Sequence, residues 1–363
     1  MQRTYKRWFC GMAAVIMLLL AACAVVVYAV DPALYYRMPE DDGAVYFSER
    51  FQSAGLIRNH PADTVLIGTS MAANYRAGRI GAVFGGEGLR ITVPDSYCSE
   101  LDQIMDALFR WQQPERVVLA LDLNILVRDE SGLTDAMPDY LYNDSALDDV
   151  RYLLNKDSLY YSGYVLLSRA KGTTERLDDS FVWDKGIWWD HMTALGFYQR
   201  PERSLTTLPP DAYLENVRTN LTVLDAWFRE HPQTEFRVFL SPYSILYWDE
   251  ADREGTTEAL LSALLLTCES LLEYENVSLY GYLMDREFVD DLDNYCDHLH
   301  HSTEMGDRLL GKLVGEEERL TKENVRETIA NWREFVVNYD YEKFWDDAFW
   351  KQWVADKAAG KLS

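Results

Sequence analysis

The stretch Thr64-Val-Leu-Ile-Gly-Thr-Ser-Met-Ala-Ala-Asn74 decides the fold. Thr64 to Ile67 form a short, continuous run rich in β-branched and apolar residues. A strand buried on both faces reads this way, whereas a half-exposed one alternates. Gly68 ends the strand, and Thr69 and Ser70 place hydroxyls at the turn. Similar short apolar runs follow at Leu89–Val93, Arg116–Asn124, Glu235–Leu240 and Val277–Tyr280. Between them the period changes. Leu101, Ile104, Met105, Leu108 and Trp111 form one helical stripe. Leu214, Val217, Leu221, Leu224 and Trp227 form a second, and Leu261, Leu264, Leu265 and Cys268 a third. Strands alternating with helices predict an α/β fold with a parallel sheet covered on both faces.

A second stretch answers the first from the far end of the pattern: Asn294-Tyr-Cys-Asp-His-Leu-His-His-Ser302. It sets Asp297 and His300 three apart, just before a predicted helix. A serine hydroxyl is a poor nucleophile until a base lies within hydrogen-bond reach. His300 is the candidate base for Ser70, and Asp297 the candidate group that orients the imidazole. Two other readings stay open. Gly-Thr-Ser before a helix is also ordinary N-capping, with Ser70 as the cap. The run Asp297-His-Leu-His-His301 has the composition of a zinc site, with His298 and His301 as further ligands and His60 or His191 recruited by folding.

These two blocks resemble those of the SGNH/GDSL hydrolase superfamily, in which a strand leads into Gly-Asp-Ser or a variant such as Gly-Thr-Ser and a last block reads Asp-x-x-His. Further stretches are similar to a membrane-anchored bacterial branch: Gly68-Thr-Ser-Met-Ala-Ala-Asn-Tyr-Arg76, Asp139-Tyr-Leu-Tyr-Asn-Asp144, Arg151-Tyr-Leu-Leu-Asn-Lys156 and Pro242-Tyr-Ser-Ile-Leu-Tyr-Trp248. The resemblance covers residues 45–340. It implies a flavodoxin-like three-layer sandwich and a Ser70–His300–Asp297 triad. It also exposes two departures. The family's second block supplies a glycine N–H to the oxyanion hole, but here the segment is Pro94-Asp-Ser-Tyr-Cys-Ser-Glu100, so the backbone N–H of Asp95 or Ser96 stands in. The family's Gly-x-Asn-Asp block is replaced by Leu121-Asp-Leu-Asn124, which offers the Asn124 amide as a donor or else a strand-end turn residue. Asp122, two residues earlier on the same strand face, is expected to line the cleft. Tyr243 and Ser244 close the fourth strand as candidate substrate contacts, or as a structural turn.

The chain has 363 residues, 48% hydrophobic and 26% charged, enough apolar mass for one large domain. A nucleic-acid binder normally shows a basic face, so with a net charge of −24 nucleic acid is not an expected partner. An anionic surface also repels anionic polymers unless a local basic pocket intervenes. Trp8 to Val30 is an unbroken apolar run, long enough for a bilayer core. Arg3, Lys6 and Arg7 precede it; Asp31, Glu40, Asp41 and Asp42 follow. The positive-inside rule then puts the N-terminus in the cytoplasm and the remainder outside, as a single-pass cell-membrane protein. A cleaved signal peptide, or a lipoprotein anchored at Cys23 of Leu20-Ala-Ala-Cys23, are the alternatives.

The organisation read from these features is an anchor at 1–30, a juxtamembrane segment at 31–60, an α/β domain at 61–320 and a helical tail at 321–363. Residues 128–210 interrupt the alternation as a helical insertion. They carry Tyr140, Tyr142, Tyr152, Tyr160, Tyr161, Tyr164, Trp183, Trp188, Trp189 and Tyr198, either packing a lid or forming a platform for sugar rings. In the tail, Thr321 is the expected N-cap of a helix bearing Val325, Ile329, Trp332 and Val336, and Tyr339–Trp353 is expected to pack back as helix. Cys98, Cys268 and Cys296 lie outside the apolar run, an odd number that argues against a disulfide framework. A Cys98–Cys296 bridge or free thiols both fit.

The expected function is that of an extracytoplasmic serine esterase or O-acyltransferase. What the resemblance implies as substrate is acylated cell-envelope carbohydrate. No cofactor is expected, and no protein partner is readable. The competing reading is a catalytically degenerate fold that binds glycan or scaffolds a partner; a metal-dependent hydrolase comes third.

Overall fold

The computed structural model of the chain describes residues 2–39, 43–133, 137–182 and 186–346, together with residue 355. Glu40, Asp41, Asp42, Trp183 and residues 347–353 of the expected C-terminal helix lie outside the described residues.

The N-terminal apolar run forms one helix, α1 (Gln2–Val30). Trp8, Phe9, Met12, Val15, Ile16 and Leu18 to Leu20 are all exposed along it. A helix that is apolar all round belongs in a core or in lipid. Its 26-residue stretch Tyr5–Val30 measures about 39 Å at about 1.5 Å per residue, against a bilayer core of about 30 Å. α1 is therefore long and apolar enough to cross a membrane. Cys23 lies inside this helix. The far end of α1 is seated in the domain, with Val27 and Val30 buried. Asp31 then turns the chain at φ 51°. Its buried carboxylate accepts the backbone N–H groups of Tyr35, Tyr36 and Arg37 and the hydroxyl of Tyr152, all within 3.0 Å. The exit from the helix is a stapled turn.

After α2 (Glu49–Asn59) the α/β pattern begins with β1 (Thr64–Gly68), α3 (Ala77–Phe84), β2 (Gly88–Thr92), α4 (Cys98–Trp111) and β3 (Arg116–Leu121). β1 lies between β2 and β3, with Gly68 opposite Thr92 on one side and Ala120 on the other. β3 stops three residues before the predicted end at Asn124. Asp122 leaves the ladder, and Leu123–Val127 wind into the short helix α5, burying Leu123, Ile125 and Leu126. The apolar residues that looked like a continuing strand are the inner face of this turn.

The insertion contributes α6 (Asp149–Leu153), α7 (Lys156–Lys171) and α8 (His191–Phe197). Tyr140, Tyr142, Tyr152 and Tyr198 are buried in it, so they serve packing and cannot offer faces to a sugar. Tyr142 donates to the Arg50 carbonyl at 2.8 Å and so ties the insertion to α2. Tyr160, Tyr164 and Trp188 are exposed.

α9 (Leu214–Glu230), β4 (Glu235–Leu240), α10 (Ile245–Glu254), α11 (Thr257–Leu271) and β5 (Val277–Tyr280) continue the alternation. α12 (Arg286–Val289), α13 (Thr303–Val314), β6 (Arg319–Leu320) and α14 (Val325–Val337) follow. The sheet order is β2-β1-β3-β4-β5-β6. The first five strands run parallel, whereas β6 pairs antiparallel with β5, an edge the sequence did not announce. α2, α4, α9 and α11 pack in sequence along the sheet, α2 reaching β2 and α11 reaching β5. α3 packs on β1 and β2 and carries α13. The result is a mostly parallel α/β sandwich of three layers. At α14 the N-cap position belongs to Asn324, with Thr321 Oγ1 accepting the N–H groups of Glu323 and Asn324 instead. The tail docks where Arg200 bridges the buried Asp249 and Glu342.

Candidate active site

Reversal of strand order creates a crevice at the C-terminal ends of a parallel sheet. Here connections leave β1 towards β2 on one side, while β3 and β4 lie on the other. Three segments meet there: the turn after β1 with Thr69 and Ser70, the turn after β2 with Pro94 to Ser96, and the turn after β3 with Asp122 and Asn124. Gly68 is required by close approach. A Cβ at that position would fall 2.8 Å from the Ala72 Cβ and 3.0 Å from both the Cβ and the carbonyl of Ala120.

Thr69, not Ser70, caps the one-turn 3-10 helix Ser70–Ala72, accepting the Met71 N–H at 3.3 Å. The expected alternative role of Ser70 as a helix N-cap is thereby corrected: its neighbour does that work. The Thr69 hydroxyl also donates to the Asp122 carboxylate. Ser70, half-buried, points its Oγ at His300 Nε2, 2.9 Å away. On the other side of the ring, His300 Nδ1 lies 2.7 Å from Asp297 Oδ2. The second oxygen of Asp297 accepts the backbone N–H groups of Leu299 and His300, both at 2.7 Å. Burial alone would raise the Asp297 carboxyl, but the His300 ring and these two N–H groups outweigh it and hold it below the ordinary carboxylate range. A carboxylate accepting from Nδ1–H puts the acceptor lone pair on Nε2, towards the serine. The His300 and Asp297 side chains remain 22% and 24% exposed, so the arrangement opens to the surface.

The loop that carries them is rigidly made. Tyr295 and His301 form an antiparallel bridge, and the Cys296 N–H donates to the His300 carbonyl at 3.2 Å. Ser302 caps α13 through the Met305 N–H at 3.2 Å. Buried Asn74 donates to the His301 carbonyl at 3.0 Å and so ties the Ser70 segment to the histidine loop. Ser244 holds the same loop from below: both its N–H and its hydroxyl donate to the His298 carbonyl, at 3.1 and 2.9 Å. Ser244 also caps α10. Tyr243 is buried, and its hydroxyl accepts the Asn124 N–H at 3.4 Å. Neither residue presents a free group to a substrate, which corrects that expectation.

The three histidines of the loop face three partners. His298 Nε2 lies 3.6 Å from Glu250, and His301 is buried, with Nδ1 3.0 Å from the Ser302 carbonyl. Burial lowers the basicity of both, that of His301 to about 4. Among the described residues no group of three or more His, Cys, Asp or Glu side chains converges as a metal site.

The candidate oxyanion donors are placed as follows. Ser96 is buried and Asp95 exposed, the latter at φ 50°. Arg128, which the sequence reading missed, fixes this turn. Its guanidinium donates to the carbonyls of Asp95 and Ser96, each at 3.3 Å, and pairs with the Asp95 carboxylate at 2.5 Å. Asn124 sits in the first turn of α5, not on a strand, so the strand-face argument linking it to Asp122 does not apply. Its Oδ1 accepts from the Tyr247 hydroxyl at 3.0 Å, which turns the amide NH₂ the other way. Asp122 is fully buried beneath the site; burial raises its carboxyl despite the hydrogen bond from Thr69. Cys98, Cys268 and Cys296 are all free and buried. Cys98 Sγ faces the Ile125 carbonyl at 3.8 Å, so the bridge to Cys296 is absent.

No known protein family and no curated protein matches the chain. Among solved structures it is similar to a Streptococcus pneumonia protein provisionally named a platelet activating factor, at 13% identity and a TM-score of 0.40, over 74% of this chain and 90% of that one.

Proposed function

We propose that this chain is a membrane-anchored serine hydrolase or acyltransferase of SGNH type, acting outside the cytoplasm on acyl esters of cell-envelope carbohydrate. The observation that carries the reading is the relay from Ser70 Oγ through His300 to Asp297, at 2.9 and 2.7 Å, with Ser70 just past the C-terminal end of a central parallel strand.

In this reading Ser70 Oγ attacks the ester carbonyl and its proton passes to His300 Nε2. Asp297 stabilises the imidazolium and keeps the ring in place. The oxyanion is met by the Ser96 N–H, with the Asn124 amide as second donor. Donors aimed at the developing charge contribute most in such reactions. Collapse breaks the ester bond, and the sugar oxygen leaves with the proton from His300. The acyl-Ser70 is then cleared by water or by a second sugar hydroxyl, which makes the enzyme an esterase or a transferase. Arg3, Lys6 and Arg7 in the first turns of α1, ahead of its apolar run, support the outward orientation.

The test is to incubate the full chain in detergent with O-acetylated wall polysaccharide. Acetate release, with an acetyl adduct on Ser70 that is missing in Ser70→Ala, is the expected result. Equal acetate release by the variant removes Ser70 from the chemistry.

A further inference from the structure

Helix α7 is built inside out. A helix on a water-soluble surface buries its large apolar side chains and exposes its polar ones. On α7 the buried positions are Ser158, Ser162, Val165 and Ser168, whereas Leu159, Tyr160, Tyr164, Leu166 and Leu167 are between 40% and 70% exposed. Single exposed leucines are unremarkable, but a contiguous patch marks an interaction surface. Small residues on the inward face resemble the packing between helices in lipid. The Ser162 hydroxyl is satisfied locally, on the Ser158 carbonyl at 2.7 Å.

The place of the patch says what covers it. α6 and α7 pack against the end of α1, with Val165 against Val30 and Val45. Next to α7, Leu147, Val150 and Leu154 are also exposed, Leu147 by 87%. The apolar surface of α1 therefore runs on into that of α6 and α7. Charge agrees. In a chain of net charge −24, α7 carries Lys156, Arg169 and Lys171 against Asp157. Arg37 and Arg169 line a cavity with Ala29 and Val30, and Arg37 lies over the Tyr28 ring at 4.7 Å. Tyr28 in turn meets Tyr36 at 4.9 Å. Aromatic and basic residues are the usual furniture of a membrane–water boundary.

We infer that the exposed face of α7 lies in the headgroup–acyl boundary of the bilayer that α1 crosses. The inference rests on α1 being a membrane span. Amphipathic helices enter this zone by their apolar face. The stapled turn at Asp31 keeps α7 beside α1, so the domain rests on the membrane in one pose and does not swing on a tether.

The test uses the full chain in nanodiscs containing anionic lipid, with Cys10 and Cys23 changed to alanine and the remaining cysteines buried. Nitroxide labels are placed singly through Val15→Cys in α1, Tyr160→Cys and Leu167→Cys in α7, and Glu323→Cys beyond the edge strand. Collision with dissolved oxygen is compared with collision with a water-soluble nickel chelate. The expected result is an oxygen-to-nickel ratio at 160 and 167 that is raised far above that at 323 and approaches that at 15. Ratios at 160 and 167 equal to that at 323, with 15 still in lipid, overturn the inference and leave the anchor intact. A water-like ratio at 15 overturns both. Loss of access to both reagents at 160 and 167 assigns the face to a protein contact and overturns the lipid assignment.

Discussion

Replacing Asp297 by asparagine tests how the site sets the state of His300. One Asp297 oxygen accepts two backbone N–H groups at 2.7 Å, and the other faces His300 Nδ1 at 2.7 Å. An asparagine has one oxygen and one NH₂ to fill these places. If the oxygen faced His300, the NH₂ would confront two half-buried N–H donors, and each donor left unpaired costs up to about 1–3 kcal/mol, the full figure applying to complete burial. The oxygen therefore stays on the backbone and the NH₂ turns to His300. Nδ1 must then accept, the proton moves to Nε2, and the ring can no longer take a proton from Ser70. Wrong-tautomer substitutions of this kind slow a triad by roughly 10⁴-fold. The assay is the second-order rate of fluorophosphonate labelling, with thermal unfolding as the check on the fold. A fall of that order, with a melting temperature near that of the wild type, is predicted. Labelling within about tenfold of the wild type in a folded Asp297→Asn protein would refute the tautomer argument.

Gly68→Ala introduces a methyl group 2.8–3.0 Å from Ala72 and Ala120, where backbone and small side chains have little room to yield. A loss of about 1–3 kcal/mol in urea unfolding is predicted; unchanged stability would mean β1 and β3 separate easily. Arg128→Ala frees the Asp95–Ser96 turn while leaving the relay untouched. It should slow labelling by about 10-fold or more, as loss of an aligned oxyanion donor does, and unchanged labelling would place the oxyanion elsewhere. His301 has its basicity lowered from 6.5 to about 4 by burial. Between those values the unfolded chain binds a proton that the fold does not. Stability is thus full above about pH 6.5 and declines as pH falls to about 4, by on the order of 3 kcal/mol. His301→Phe should flatten that part of the profile; an identical slope in the variant would exclude His301 as its source.

The strands and the site were legible to different degrees, for physical reasons. Thr64–Gly68, Glu235–Leu240 and Val277–Tyr280 appear with their predicted bounds, because strands buried on both faces write themselves as short apolar runs. The third strand was read too long, because Leu123 is apolar whether it continues a strand or begins a helix. β6 was missed, because two residues at an edge carry no period. Ser70, His300 and Asp297 announce themselves by type and local spacing. Asn74, Arg128 and Ser244 do not. Each acts on a carbonyl or carboxylate distant in sequence, and Asn74 holds a residue 227 positions away. Pins of this sort exist only once the chain has folded. The buried tyrosines of the insertion show the same limit, since composition cannot tell a ring that packs from one that binds.

The central claim is that Ser70 is an activated nucleophile. The direct measurement is fluorophosphonate labelling of the full chain in detergent, with the adduct mapped by mass spectrometry, beside Ser70→Ala and His300→Ala. The account predicts one adduct, on Ser70, that is lost in both variants. A folded wild-type protein that takes no label would contradict it and favour a glycan-binding or scaffold role for this fold.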